Sequence, residues 1–442
     1  MAKKKNKSTK NSNVPQKPAA AAAVLEPPLA PISAVQVIPF PQWNRFPVDV
    51  KRECIGWLYR LECAEEEESG SPPLVSAMWG NKELYDLCAP WYWQELTFQG
   101  RRLPQVQYFV DSILPIHGQH INILFFPDNV APKKHYTGTV IYLGGNPEPR
   151  IDKDAAERRA LYCTILSRLE NVRALSIKLR LDQPPDPQAR RTPIRTPFGF
   201  MSNLDDEEPE CHLELLNAIL GIAPGLESLK FYGDKESFLD ANLLAPIISA
   251  APNLKCLFLT FVGKCSNDAL LTAVQSLSFA HSLELNAVED VDERWSSSTN
   301  WTAPVVVLHL HNLLTYTPTL YADLFQHFSA SLVQVRVHQD DVLDTPATPI
   351  SLPHLIWLTV WSSHDVLSFV DAFVGSPLER LEIDSQGVKR YADPKKLIET
   401  AERFQETLKV LEIMSPVPRG VVEAWGAKRG IKVNVEYRAA GW

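Results

Sequence analysis

No stretch of about 18 consecutive apolar residues occurs in the sequence, so no α-helical membrane span is expected. Paired cysteines are missing too. The seven that occur, Cys54, Cys63, Cys88, Cys163, Cys211, Cys256 and Cys265, form no CxxC pair and no regular spacing. That argues against a disulfide framework or a zinc site and fits a reducing compartment, cytoplasmic or nuclear. Basic charge is not in excess: the net charge is −8, which leaves no field to draw in nucleic acid or an anionic membrane surface. There is no phosphate loop of the form GxxxxGKS or GxxxxGKT, no GxGxxG, no HExxH and no GxSxG elbow. These absences leave no catalytic residue, metal ligand or cofactor to nominate, and a non-catalytic protein is expected.

What is present is material for folding. With 442 residues, 45% of them hydrophobic, the chain can hold roughly two or three domains with real cores. Residues 1–38 are the exception. The lysine-rich start MAKKKNKSTK runs into PQKPAAAAAVLEPPLAP, whose short apolar run is broken by Pro18, Glu26 and Pro27. This reads as a disordered tail, neither a signal peptide nor a membrane anchor, with a nuclear address as a second reading of the lysines.

Residues 46–61, FPVDVKRECIGWLYRL, have the marks of a helix start. Pro47 suits the first turn, where an N–H would go unused, and Asp49 sits near the positive end of the helix dipole. Val50, Cys54, Trp57, Leu58 and Leu61 then recur at spacings of three and four, an apolar stripe along one side. The acidic stretch CAEEEESGSPP must be a loop, after which LVSAMWGNKELYDLCAPWYWQELTF resumes apolar periodicity. Three short helices in about 50 residues have little interior of their own, so they should pack on a partner or on the rest of the chain.

Over these residues the chain resembles an F-box, the module that joins substrate receptors of SCF-type ubiquitin ligases to a small Skp-family adaptor. The matching positions are Phe46, Pro47, Asp49, Val50, Ile55 and Leu58, then Leu74, Val75 and Ser76, Leu84 and Tyr85, and finally Ala89, Pro90 and Trp93. Phe46 stands where the family has Leu, Asp49 where it has Glu, Val50 where it has Ile, and Ala77 where Lys is usual. The acidic loop from Glu62 to Pro73 lengthens the first connection. The resemblance implies adaptor binding through Phe46, Pro47, Val50, Ile55, Leu58, Leu74, Val75, Leu84 and Trp93, with a cullin scaffold reached through the adaptor.

Beyond residue 100 a hexad, apolar-x-x-apolar-x-apolar, recurs ten times, starting at Ile121, Val172, Leu226, Leu254, Ala280, Val305, Leu332, Leu355, Leu378 and Leu408. From Leu226 the intervals are 28, 26, 25, 27, 23, 23 and 30 residues. They sit in or beside the range of about 20–29 residues for leucine-rich repeats. The expected fold is therefore α/β: an F-box-like three-helix module at 39–98, then an irregular leucine-rich-repeat solenoid at 99–442. Parallel strands would line its concave face and helices its convex face. Loops are expected near 127–153 and 181–210, where the sequence is rich in proline and charge. A plain α/β domain is the competing reading.

In such strands the last two apolar residues of each hexad point inward, and the second, fourth and sixth residues after each start point out. Among the outward residues Phe258, Trp357 and Trp361 are unexpected on a solvated sheet. With Tyr232, His309, Arg336 and His338 they form the expected substrate-recognition patch. Cover by the C-terminal EYRAAGW is the alternative. His309 and His311 share a strand face but have no evident third metal ligand, so surface histidines are the preferred reading. The carboxylates of EDVDERWSSSTN read as a solvated loop, and Trp91-Tyr92-Trp93 as a hydrophobic joint between helices and solenoid. Together these readings point to the substrate-recognition subunit of an SCF-type ubiquitin ligase with a protein target. The alternative is a non-ligase repeat protein whose F-box-like helices only cap the solenoid.

Overall fold

The computed structural model describes residues 43–64, 82–98, 101–126, 154–178, 210–233, 238–263, 268–297, 300–313, 317–340, 343, 345–346, 348–362, 364, 366–384, 393–414 and 417–436. The expected tail, the loops at 127–153 and 181–209, and the middle helix of the F-box-like stretch lie outside them. The chain divides into two compact units, Met1–Glu53 and Cys54–Trp442, and the division falls within helix α1 (Val48–Ala64). In the first unit a short turn at Trp43–Arg45 is closed by the Phe46 N–H on the Trp43 carbonyl, 3.1 Å. The Lys51 N–H donates to the Pro47 carbonyl at 3.1 Å, so Pro47 opens the helix.

The second unit is built on one parallel sheet. Its strands are β1 (Glu95–Thr97), β2 (Ile123–Phe126), β3 (Ala174–Lys178), β4 (Ser228–Tyr232), β5 (Leu239–Asp240), β6 (Cys256–Gly263), β7 (Ser282–Val288), β8 (Val307–His311), β9 (Gln334–Gln339), β10 (Trp357–Ser362), β11 (Arg380–Asp384), β12 (Val410–Ile413) and β13 (Lys432–Val435). They neighbour one another in chain order, except that two-residue β5 sits off the path beside β6. All ten predicted hexads lie on strands, β2 to β4 and β6 to β12.

Strict sequential order has a geometric consequence. Every crossover advances the same way, and since such crossovers are right-handed, all of them fall on one face of the sheet. That face holds the core. Leu229 and Phe231, Leu257 and Leu259, Leu308 and Leu310, and Leu358 and Val360 are all buried, and they pack with the helices in one hydrophobic cluster. Burial alternates along the strands because successive side chains point to opposite faces.

The turn before each strand carries a repeated backbone device. The Arg173 carbonyl accepts from the N–H groups of Glu227 and Ser228, the Glu227 carbonyl from Lys255 and Cys256, and the Lys255 carbonyl from His281 and Ser282. The pattern continues through His281, Val306, Val333, Ile356 and Glu379. One doubly accepting carbonyl per repeat locks the register, whatever the length of the excursion that follows. Helix starts are set locally: Asp240 caps Ala241–Ser249, Thr317 caps Pro318–His327 and Asp393 caps Pro394–Glu402, each by a side-chain oxygen accepting from the first turn.

One expected loop is corrected. Within EDVDERWSSSTN residues Glu293–Ser297 form a short helix, and Trp295 is buried at 2% exposure. The indole packs near Trp301, whose Nε1–H donates to the Trp295 carbonyl at 2.8 Å. An apolar side chain in a polar stretch was the signal, and charge alone outvoted it. The carboxylates stay near the surface, where Asp292 accepts from the Arg294 guanidinium at 2.9 Å.

Candidate functional site

The face of the sheet opposite the helices is lined by the predicted outward residues, and register assigns each a cross-strand neighbour. One row runs Lys230, Phe258, Glu284, His309, Arg336, Thr359, Glu382 and Glu412 from β4 to β12. A second runs Tyr232, Thr260, Asn286, His311, His338, Trp361 and Asp384 from β4 to β11. Of the seven expected patch residues, His309, Arg336, His338, Trp357 and Trp361 come together on β8 to β10. Tyr232 on β4 and Phe258 on β6 are diagonal neighbours, separated from the others by β7.

The contacts within the group are specific. His309 Nδ1 lies 3.1 Å from Glu284 Oε2, and its Nε2 lies 3.4 Å from the Gln334 amide nitrogen. These two contacts fit an imidazole that donates from Nδ1 to the carboxylate. The His309, His311 and His338 rings follow one another at 6.0 and 5.5 Å, and His338 then meets the Trp361 indole at 3.5 Å. The Arg380 guanidinium lies 4.0 Å over the Trp357 ring and donates to Glu412 at 2.8 Å. Lys230 stands 4.3 Å over Phe258. Such cation–aromatic stacking holds long side chains in one orientation.

Half-burial shifts the titration of this row. Burial pushes His311 down to about 4, although the Glu284 charge opposes it, so at neutral pH the ring is uncharged. Burial likewise lowers His338, opposed by the hydrogen bond and charge of Asp340. For Glu284 burial raises, but the His309 hydrogen bond and the charges of His311, His309 and Arg336 outweigh it, and the carboxyl titrates below its ordinary value. Burial also raises the Tyr232 phenol, with Glu284 adding to it.

Backbone geometry supports the second row. Phe261, Ala287 and Asn312, each directly after the outward residues Thr260, Asn286 and His311, have φ of 54°, 49° and 47°. Left-handed backbone costs a residue with a β-carbon roughly 1–2 kcal/mol, less for Asn. At Asn312 the conformation lets its N–H donate to the His338 carbonyl at 2.7 Å and its Oδ1 accept from the Asp340 N–H at 2.9 Å. These two bonds fix His338 beside His311.

Thr359 and Arg380 belong to the site and were not singled out from sequence, and His311, read there only as a surface histidine beside His309, belongs to it too; each falls at a predicted outward position. Only the register shows that Arg380 abuts Trp357, that Thr359 faces Arg336, and that His338 links His311 to Trp361. Among the described residues no group of three or more His, Cys, Asp or Glu side chains could hold a metal ion. Among them also, no helix is long and apolar enough to cross a membrane.

The expected adaptor-binding residues divide. Pro47 and Val50 are exposed and Phe46 is half-buried. Ile55 is buried at 3% exposure, so in this arrangement it offers nothing to a partner. Leu84 is half-buried on helix α2 (Lys82–Tyr92). Trp93 stacks on His117 at 4.9 Å, and His117 Nε2 lies 2.7 Å from the Tyr85 hydroxyl, so this end of the helical stretch is tied to the segment that leads into β2. The Leu58 side chain, Leu74 and Val75 lie outside the described residues. Gly56 allows the Trp91 ring of α2 to approach α1 where any β-carbon would collide with it.

No protein-family model matches the chain, and no curated protein sequence is significantly similar to it.

Proposed function

We propose that the protein is the non-catalytic substrate receptor of an SCF-type ubiquitin ligase, binding a Skp-family adaptor through the helices around α1 and a protein target through the open sheet face. The observation that carries this reading is the outward stripe of α1. Trp57 is 57% exposed and Val50 40%, seven residues apart and so on one side of α1, while Lys51, Ile55 and Gly56 take the buried side. A helix that covers a core turns its large apolar residues inward; an exposed indole in line with an exposed valine marks a contact surface. The F-box resemblance supplies the partner that such a stripe would meet.

The mechanism is proximity. Holding a target on the sheet and the ligase scaffold through the adaptor raises the effective concentration of target lysines near the ubiquitin-loaded enzyme, and the catalytic cysteines belong to other subunits. The alternative, helices that merely cap the solenoid, is favoured by the Trp93–His117 stack and by the burial of Leu87, Cys88 and Ala89 on α2. The exposed stripe separates the two. Co-purification with the adaptor should fall about tenfold or more for Trp57→Ala and for Pro47→Asp. Unchanged recovery in both variants would favour the cap.

A further inference from the structure

The open sheet face is unevenly satisfied. Its acids near Arg336 have partners: Glu284 faces His309 at 3.1 Å, Glu382 accepts from the Thr359 hydroxyl at 3.1 Å, and Glu412 holds Arg380 at 2.8 Å. Arg336 has none. No hydrogen bond or ion pair joins its guanidinium to a described residue, and its Nε is buried without an acceptor. On the next two strands, Trp357 Nε1 and Arg380 Nε are buried donors in the same condition. Most buried N–H groups find an acceptor, so three unanswered donors on β9, β10 and β11 call for one from outside.

The surroundings say what form it takes. Thr359, directly across from Arg336, is 5% exposed because Trp357 and Trp361 stand on either side of it on the same strand face. Adjacent strands lie about 4.8 Å apart, so donors on three strands span roughly 10 Å. A compact inorganic anion cannot reach across that span, whereas an extended polypeptide with a carboxylate and several carbonyls can. His311 is uncharged at neutral pH and Glu284, though within Coulombic reach of Arg336, is already engaged by His309.

Resting on the reading of this face as the target surface, we propose that the patch centred on Arg336 binds an acidic stretch of a partner polypeptide. A side-chain carboxylate accepts from the Arg336 guanidinium, and a neighbouring apolar side chain lies on Trp357 or Trp361. The planar guanidinium fork suits a carboxylate, and Arg380 is already held in place by its stack and its ion pair.

The test uses the full chain and a fluorescein-labelled peptide alternating glutamate with phenylalanine and leucine, measured by anisotropy against versions with glutamine or lysine for glutamate. The glutamate peptide should bind roughly tenfold or more tightly than the glutamine peptide. Arg336→Gln should erase that gap, while Arg429→Gln, outside the sheet, should leave it, with circular dichroism confirming that both variants fold. Equal affinity for glutamate and glutamine peptides, preference for lysine, a gap that survives in folded Arg336→Gln, or no binding at millimolar peptide would each overturn the proposal. Adaptor recovery is read in the same preparations. Its loss with the glutamate preference intact sinks the ligase reading alone, and an intact adaptor complex without that preference sinks this one alone.

Discussion

Along β8, Leu308 and Leu310 are closed off from water, while His309 and His311, one residue away, look out from the other face. The two faces share a backbone and differ in what holds them. On the covered face any residue of suitable volume satisfies its neighbours, because dispersion and water exclusion are non-directional. On the open face many residues answer a particular partner one strand away, His309 to Glu284, His338 to Trp361 and Arg380 to Glu412, while Arg336 does not. The covered face carries stability and the open face carries identity, and period-two alternation keeps them independent.

Cutting the covered face should do the most damage. Leu310→Ala should cost about 2–5 kcal/mol in chemical denaturation, through lost burial and the cavity left behind. Conversely, His309→Gln beside it should cost far less, and a comparable loss would mean that the two faces are not separable.

Acid should find the open face next. His311 titrates at about 4 in the folded protein against an ordinary 6.5. As pH falls below 6.5 the unfolded chain takes up the proton first, so stability is full above that value and declines toward 4 by roughly 1–3 kcal/mol. His338, also lowered, contributes in the same direction from the same upper limit. Glu284, with a lowered carboxyl pKa, adds a further loss only below its ordinary 4.5. Thermal midpoints between pH 7 and pH 4.5 should show a shallower slope in His311→Gln. An unchanged slope would place the protonation elsewhere.

Smaller still is Arg380→Ala, which removes the stack on Trp357 and should cost about 1 kcal/mol while quenching or shifting the indole fluorescence. At the bottom of the scale is Glu227→Gln. Its carboxyl pKa is lowered chiefly by the hydrogen bond from Lys255, yet the pair lies at the surface, with Lys255 52% and Glu227 34% exposed, and its loss should leave the midpoint nearly in place.

The repeat was legible because its physics is local. A hexad with two inward apolar residues states both strand and facing, and the ten hexads coincide with ten strands. Strand β13 escaped the pattern because Gly430 occupies the place of the first apolar residue. There it ends the helix Arg419–Arg429 in a left-handed conformation with φ 72°, a need that overrides the hexad. Strand β1 (Glu95–Thr97) sits on a hexad of its own, Trp93, Leu96 and Phe98, which went unread because the F-box resemblance claims these residues for the helical stretch. Within the candidate site, the aromatic residues were readable as misfits, but the orphaned donors of Arg336, Trp357 and Arg380 were not. Whether a donor has an acceptor depends on rotamers and on neighbours some 20 residues away in sequence.

Because every strand but β5 is hydrogen-bonded to its neighbours along one path in chain order, the face is composed of separable units. Excision of residues 334–356 would bring β10 against β8 with its register intact, setting Trp361 beside His311 and Trp357 beside Val307. Gain or loss of a single unit therefore rewrites a whole column of the surface at one stroke and leaves the columns on either side legible, as deleting a line from a ruled page leaves the other lines where they stood.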